Sequence, residues 1–244
     1  MLYDSFNHMT GEVRNLIDTI YREQEKLRRE ELKALQAQIN PHFLYNTLDS
    51  IIWSLRMRQV EESIEMLTAL TDFFKISLSK GRDIITIEEE VRHIKSYLSI
   101  QHRRYQEKFD YDIHVDPSIL SCRTPKLILQ PVVENAIYHG IKPMEEKGYI
   151  YIHIFPQEGD VILQVQDTGM GMDEDTCRRL NRELDTISSD QQGTGYGVRN
   201  VNDKIKIVYG SKYGVTIESA MGEGTVVTLR IGKKGETSDE SDYL

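Results

Sequence analysis

The chain has 244 residues, enough for one large domain or two small ones with a proper core. Its formal net charge of −9 argues against broad nucleic-acid binding, which needs a basic surface, but leaves room for a small anionic ligand held by a few local donors. The two cysteines, Cys122 and Cys177, have no metal-type pairing and form no disulfide framework, and no apolar run approaches membrane-spanning length. The chain is expected to be soluble as it stands and compatible with being the inner portion of a longer membrane protein.

Residues 1–38 are rich in Glu, Lys, Arg, Gln and Leu. Steps of four and three pick out Leu2, Phe6, Met9, Val13, Leu16, Ile20, Glu23, Leu27, Glu30, Ala34 and Ala37, a coiled-coil seam with two polar interruptions. The competing reading is a single amphipathic helix packed on its own domain; the densely charged flanks favour the coiled coil. Two further helical patterns follow in 39–80, Phe43, Leu44, Leu48, Ile51, Ile52, Leu55 and then Ile64, Leu67, Leu70, Phe73, Phe74, Leu78. The charged RMRQVEES between them predicts a helical hairpin. Pro41 interrupts the helix-forming run QINPHFLYNTLDSIIW. It removes the partner of the Ala37 carbonyl, so either a new helix starts with Asn40 as its cap or one helix bends there.

SKGRD, residues 79–83, is the first clear break. Beyond it the pattern predicts a helix over about 88–107, a strand FDYDIHV and a helix through KLILQPVVENAIYHGI. Two strands, YIYIHIFP and DVILQVQDTG, follow around a Glu-Gly turn. A helix from near Asp173, a glycine-bearing loop, a helix YGVRNVNDKIKIVYG and two closing strands, GVTIESA and GTVVTLRIG, complete the unit. The tail, residues 233–244, is polar and expected to be disordered. The fold class is thus α plus α/β, an all-helical front joined to an α/β rear near residue 81.

Three stretches of the rear unit carry chemistry. ENAIYHG places Asn135 and His139 four apart on one helix, and an amide oxygen suits Mg²⁺, which keeps waters and phosphates as its other ligands. DTGMGM follows a strand, so Asp167 can accept from an exocyclic amine while glycines admit a close ligand. GTGYGVRNV is a glycine-rich loop opening a helix, a ready anion site. Each alone is weak: such residues are usually a solvated Asn, a turn and a plain loop. In this order, with GEGT closing, they become specific.

Together they resemble the ATP-binding domain shared by histidine kinases, gyrase, Hsp90 and MutL, the Bergerat α/β sandwich, over residues 81–232. The resemblance implies ATP and Mg²⁺ as cofactors. It implies Asn135 as the Mg²⁺ ligand, Glu134 as a candidate general base and His139 as a candidate phosphate contact. It also implies Asp167 with Gly169 and Gly171 at adenine, Gly193, Gly195, Gly197 and Asn200 in the phosphate lid, and Thr225 behind the adenine edge.

The front unit narrows the family. QINPHFLYNTLDSI resembles the phosphoacceptor motif of LytS/YesM-type sensor histidine kinases, and DSFNHMTGEV resembles the last helix of a HAMP module. This implies a HAMP-end coiled coil (1–38) and a dimerisation and phosphoacceptor domain (39–80). It implies autophosphorylation of His42 by ATP and relay to an Asp on a response-regulator receiver domain. The expected setting is a homodimer on the cytoplasmic side of a bacterial membrane, with the membrane sensor segment upstream. Imidazole, with a reference pKa of about 6.5, is a neutral nucleophile near pH 7. Asn46, one turn after His42, sits where related kinases carry a residue linked to dephosphorylating the regulator. The departure is Phe43, where many histidine kinases place an acid. It supports the alternative of a dimeric ATP-binding scaffold without autokinase activity; a clamp ATPase is disfavoured because only a short tail follows the ATP unit. His93, His102, His114 and His153 lack ligand spacing and read as surface or strand residues, and Trp53 reads as core.

Overall fold

The computed structural model describes residues 41–78, 82–105, 108–185 and 196–233, with Tyr196 by its backbone only. The coiled coil expected over 1–38, the Asn40 cap, Gly193 and Gly195 of the lid, and the tail from 234 lie outside the described residues. The chain divides into two compact units, Met1–Leu48 and Asp49–Leu244.

Of the first unit, Pro41–Leu48 are described; they open helix α1 (Pro41–Arg56). Along this helix Phe43, Thr47, Ile51 and Ser54 are buried, while His42, Tyr45, Ile52 and Leu55 are exposed. The helix ends as a Schellman motif. Arg58 takes a left-handed φ of 60°, its N–H donates to the Leu55 carbonyl at 3.0 Å, and the Gln59 N–H donates to the Ser54 carbonyl at 2.9 Å. Trp53 is 60% exposed, contrary to its reading as core, because it stands on the face of α1 away from Phe43, Thr47 and Ile51.

In the second unit, α2 (Val60–Ser77) starts with Glu61 and Glu62 and ends with Lys75, charges that suit its dipole. It packs through Met66, Leu70, Phe73 and Ile76 against α3 (Ile87–Arg104). The sequence TIEE closes a capping box at the start of α3. The Glu89 N–H donates to Thr86 Oγ1 at 3.1 Å, and the Thr86 N–H donates to Glu89 Oε2 at 3.0 Å.

His93 overturns its surface reading. It is fully buried on α3, stacked on Phe73 at 4.6 Å, with Nε2 2.9 Å from the Ser77 hydroxyl. Burial lowers its pKa to about 4, so the ring is neutral at physiological pH. Exposure on α3 is confined to a narrow stripe through Glu88, Arg92 and Lys95, so the polar residues beside that stripe, His93 among them, lie inside. His114 and His153 do lie exposed on strands, as register partners, and His102 is half-buried beside Asp110.

The remaining elements build a five-stranded mixed sheet, β2-β4-β5-β7-β6, from β2 (Phe109–Val115), β4 (Gly148–Gln157), β5 (Asp160–Asp167), β6 (Gly214–Ala220) and β7 (Gly224–Gly232). Only β2 and β4 run parallel; the other neighbours are antiparallel. On β4 the alternation places Ile150, Ile152 and Ile154 in the core and leaves Tyr149, Tyr151 and His153 on the outer face. The β4–β5 turn is the Glu-Gly pair read from the sequence, with φ of 52° at Glu158 and 86° at Gly159. Helices α4 (Leu129–Asn135), α5 (Glu174–Asp185) and α6 (Tyr196–Tyr209) accompany the sheet, with short strands β1 (Ile84–Thr86) and β3 (Arg123–Pro125) paired beside them. The open edge of β6 is closed by two amides. Asn181 accepts from the Ile217 N–H and donates to its carbonyl, and Asn202 accepts from the Val215 N–H.

The start of α4 depends on Glu90, a fully buried α3 residue. Its two carboxyl oxygens accept the N–H groups of Leu127 and Leu129, each at 2.8 Å, across a turn where Leu127 has a φ of 60°. Burial raises the Glu90 pKa, and these backbone donors pull it back down. Glu90→Ala leaves both donors buried without a partner. We expect it to destabilise the chain by about 2–4 kcal/mol, read as a fall in the urea midpoint. A midpoint within error of wild type would show that the turn is held by something else.

Candidate functional site

The rear site is organised by α4 and the π-helical turn that continues it, Ala136–Ile141. A π turn inside a helix is uncommon and often marks function. Here it delivers Gly140 against Asp167. A methyl group on Gly140 would lie 2.7 Å from Asp167 Oδ1, and one on Gly169 would lie 2.5 Å from that oxygen and 2.4 Å from the Gly140 carbonyl carbon. The Met170 N–H also donates to the Gly140 carbonyl at 3.0 Å. Gly224 approaches from the other side at a φ of 91°, where a methyl would meet the Asp167 carbonyl oxygen at 2.0 Å. Glycine is required at these contacts by space, and at Gly224 by conformation as well.

Asp167 closes β5 and is almost fully buried. The Gly169 N–H donates to its Oδ1 at 2.8 Å, and the Thr225 N–H supports it too. Desolvation outweighs both and raises its pKa to about 6. The turn after it is tied down: the Thr168 hydroxyl accepts from the Tyr149 N–H at 2.8 Å, and Gly171 has a φ of 64° beside Ala220. Thr225 is half-buried next to it, its hydroxyl 2.9 Å from that of Ser219, which in turn donates to the Gly224 carbonyl at 2.8 Å. The result is a rigid, glycine-walled carboxylate suited to accept from one flat donor.

Glu134 and Asn135 lie at the end of α4, both half-buried. Gln130 Nε2 donates to Glu134 Oε1 at 2.9 Å, and Tyr97 hydrogen-bonds the same carboxyl. Burial raises the Glu134 pKa against these two bonds. Behind it, Gln101 Nε2 donates to the Tyr97 hydroxyl at 2.7 Å and the Tyr138 hydroxyl at 3.2 Å. The Asn135 carboxamide has no hydrogen-bond partner among the described residues, so its oxygen is available to a ligand. His139 is exposed on the π turn. Of the lid, Gly197 lies in the first turn of α6, where a methyl would come within 3.2 Å of Pro131 on α4. Asn200 is exposed.

The structure therefore joins Asp167, Gly169, Gly171 and Thr225 in one cradle, with Glu134 and Asn135 on the adjoining α4 and Gly197 on α6 against Pro131 of α4. Sequence reasoning missed Gly140, Gly224 and Ser219 as walls of that cradle, and Tyr97 and Gln101 as supports of Glu134. Gly140 stood inside the quoted ENAIYHG; its partner lies 27 positions on and becomes visible only once the sheet is formed.

In the first unit, His42 is exposed on the opening turn of α1, and Asn46 Nδ2 lies 3.0 Å from its Nδ1. Phe43 beside it is buried. Among the described residues no group of three or more His, Cys, Asp or Glu side chains is placed to hold a metal by itself, and no helix is long and apolar enough to cross a membrane.

Residues 30–109 match the family model described as histidine kinase. Residues 123–235 match that of the histidine kinase-, DNA gyrase B- and HSP90-like ATPase. The chain is 34% identical to the sensor histidine kinase YesM of Bacillus subtilis over 97% of its own length and 39% of the relative's. It is 33% identical to the sensor protein LytS of Bacillus cereus over 84% of its own length and 34% of the relative's. The chain thus spans little more than a third of these relatives. Among solved structures, the nucleotide-free catalytic domain of histidine kinase ThkA is similar, at 21% identity and a TM-score of 0.46, covering 62% of this chain and 94% of that one. With the two family models on consecutive stretches and relatives of one kind along nearly the whole length, the chain belongs to the sensor histidine kinases of the LytS/YesM type.

Proposed function

We propose that this chain is the kinase portion of a dimeric sensor, which transfers the γ-phosphoryl group of ATP to His42 and then to an aspartate of a response-regulator receiver domain. The observation that carries this reading is the buried, glycine-walled Asp167 in a chain that also exposes His42 within QINPHFLYNTLDSI. Asp167 accepts from the adenine amine, while Gly169 and Gly171 let the base approach the backbone and Thr225 backs its edge. Asn135 holds Mg²⁺ through its oxygen, and the ion supplies charge neutralisation on the phosphates when bound. Gly193, Gly195, Gly197 and Asn200 are assigned to the phosphate lid, and His139 is assigned as a phosphate contact. Glu134, with a pKa raised by burial, is our candidate to take the proton that leaves the phosphorylated ring. Asn46 also orients water toward the regulator's acyl phosphate, an amide offering position rather than basicity.

The homodimer is supported by an apolar stripe left uncovered on the helices of 39–80. Ile52 and Leu55 on α1, and Val60, Ile64 and Leu67 on α2, are each about half exposed. Such a stripe at helical spacing is the seam of a bundle lacking its partner helices. The part of the protein upstream of this chain is proposed to carry the membrane sensor, acting through 1–38.

Incubation with Mg-ATP tests the reaction. Label from the γ position, and not the α position, should appear on the chain, survive alkali and be lost in acid; absence of label would leave the scaffold reading in its place. Asn135→Ala is expected to weaken Mg-ATP binding by about tenfold while leaving binding measured in EDTA nearly unchanged, because the amide acts through the metal. Calorimetry with and without Mg²⁺ checks this, and wild-type affinity in both would remove Asn135 from the site.

A further inference from the structure

Register places Asp167, Thr225 and Ser219 in one row across three strands. Asp167 of β5 pairs with Thr225 of β7, and Thr225 pairs with Ser219 of β6. The three lie on the face of the sheet that also carries the buried Val165, Val227 and Ile217.

A serine hydroxyl has one proton to give and two lone pairs to fill. Three partners stand around Ser219 Oγ. The Met172 N–H donates to it at 3.0 Å, the Gly224 carbonyl lies 2.8 Å away, and Thr225 Oγ1 lies 2.9 Å away. A carbonyl accepts and never donates, so the Ser219 proton goes to Gly224. The Met172 amide fills one lone pair, and the lone pair that remains faces Thr225. The Thr225 hydroxyl therefore donates along the row to Ser219 and keeps its own lone pairs for the cradle. The row is held shut as well, because the Gly222 N–H of the β6–β7 turn donates to the Met170 carbonyl at 2.7 Å, beside the turn that follows Asp167.

We propose that Ser219 is a specificity-determining residue for the base: by accepting the Thr225 O–H it holds that threonine as an acceptor beside Asp167, so this edge of the cradle reads donors alone. This rests on the reading of the cradle as the adenine site. Adenine presents an amine at position 6, with two N–H donors. A 6-oxo purine presents a carbonyl oxygen there, which meets a carboxylate and a hydroxyl lone pair and finds no proton. A Thr225 hydroxyl released from Ser219 can turn and donate to that oxygen. Ser219 withholds the proton without touching the ligand, so it is a positioning residue that acts through Thr225.

The test is calorimetry on the full chain with Mg-ATP and with Mg-ITP, at a pH of about 8 where Asp167 is ionised. ITP differs from ATP in the oxygen at position 6 and the proton this puts on N1. The wild type should prefer ATP. In Ser219→Ala the ratio of the two affinities should fall about tenfold, because ITP gains a hydrogen bond from the released hydroxyl. Loosened packing, or the lost Met172 contact, would weaken both nucleotides alike and leave the ratio in place. Ser219→Thr keeps the hydroxyl and should keep the ratio. In a Thr225→Val background, with no hydroxyl to direct, Ser219→Ala should not change the ratio further. A ratio unchanged in Ser219→Ala, one lost equally in Ser219→Thr, or one that falls again in the Thr225→Val background would each overturn the proposal. A wild type that binds ITP as tightly as ATP, or binds neither, would overturn the adenine reading of the cradle and the proposal with it.

Discussion

His42→Gln is expected to reduce phosphate incorporation from ATP to background while nucleotide binding stays at the wild-type value. Glutamine reaches about as far as histidine and carries polar groups, but its amide nitrogen is not a nucleophile at neutral pH. The side chain is exposed on the opening turn of α1, so the substitution should cost no more than about 0.5 kcal/mol of stability. Nucleotide binding is expected to persist because Asp167, Gly140 and Gly224 build their cradle from β5, the π turn and β7, with no residue of the Met1–Leu48 unit among the contacts described. Incorporation is read from γ-label and affinity from calorimetry on the same preparation. Equal labelling of wild type and variant would remove His42 from the reaction.

The second large effect belongs to Asp167. Asp167→Ala is expected to weaken ATP binding by about 10- to 100-fold, the loss of a charge-assisted hydrogen bond to the adenine amine in a buried site. The wild-type protein should show a pH dependence of its own. Burial raises the carboxyl of the free protein from the usual carboxylate range to about 6. The exocyclic amine is a donor, so binding favours the ionised form. Affinity should be full above the raised pKa and fall as pH drops through it, by about tenfold per unit well below it. Asp167→Asn keeps the shape and cannot ionise. It should bind more weakly at pH 7, and its affinity should not change between pH 7 and 5. A wild-type affinity that is flat over this window would show that adenine is recognised elsewhere.

How far the site was legible in the sequence depended on the range of the contacts involved. Asp167, Gly169 and Gly171 stand within five positions, and the strand before them alternates clearly enough to place the carboxylate at its end. The Glu158–Gly159 hairpin was equally plain, because its turn chemistry is local. Gly140 and Gly224 were quoted in motifs, but their role as walls of one cradle depends on β5 lying between the π turn and β7. Glu90 is in the same position: a glutamate in an acidic first turn reads as a solvated cap, and its two backbone partners lie 37 and 39 residues away. His93 and Trp53 failed in opposite directions for one reason. Periodicity states which residues share a helix face, but not how many faces are covered. α3 buries His93 against Phe73 of α2, whereas α1 leaves Trp53 uncovered. The short strands β1 and β3 escaped notice because three residues are too few to show alternation.

The central claim is that ATP held by the rear unit phosphorylates one histidine of the front unit. Peptide mapping by mass spectrometry under alkaline conditions, after incubation of the full chain with Mg-ATP, tests it most directly. The account predicts a single phosphoryl group on the peptide containing His42, absent when Asp167→Asn replaces the wild type at limiting ATP. Phosphate on a different histidine or on a hydroxyl side chain, or no phosphopeptide from a chain that demonstrably binds ATP, would contradict it.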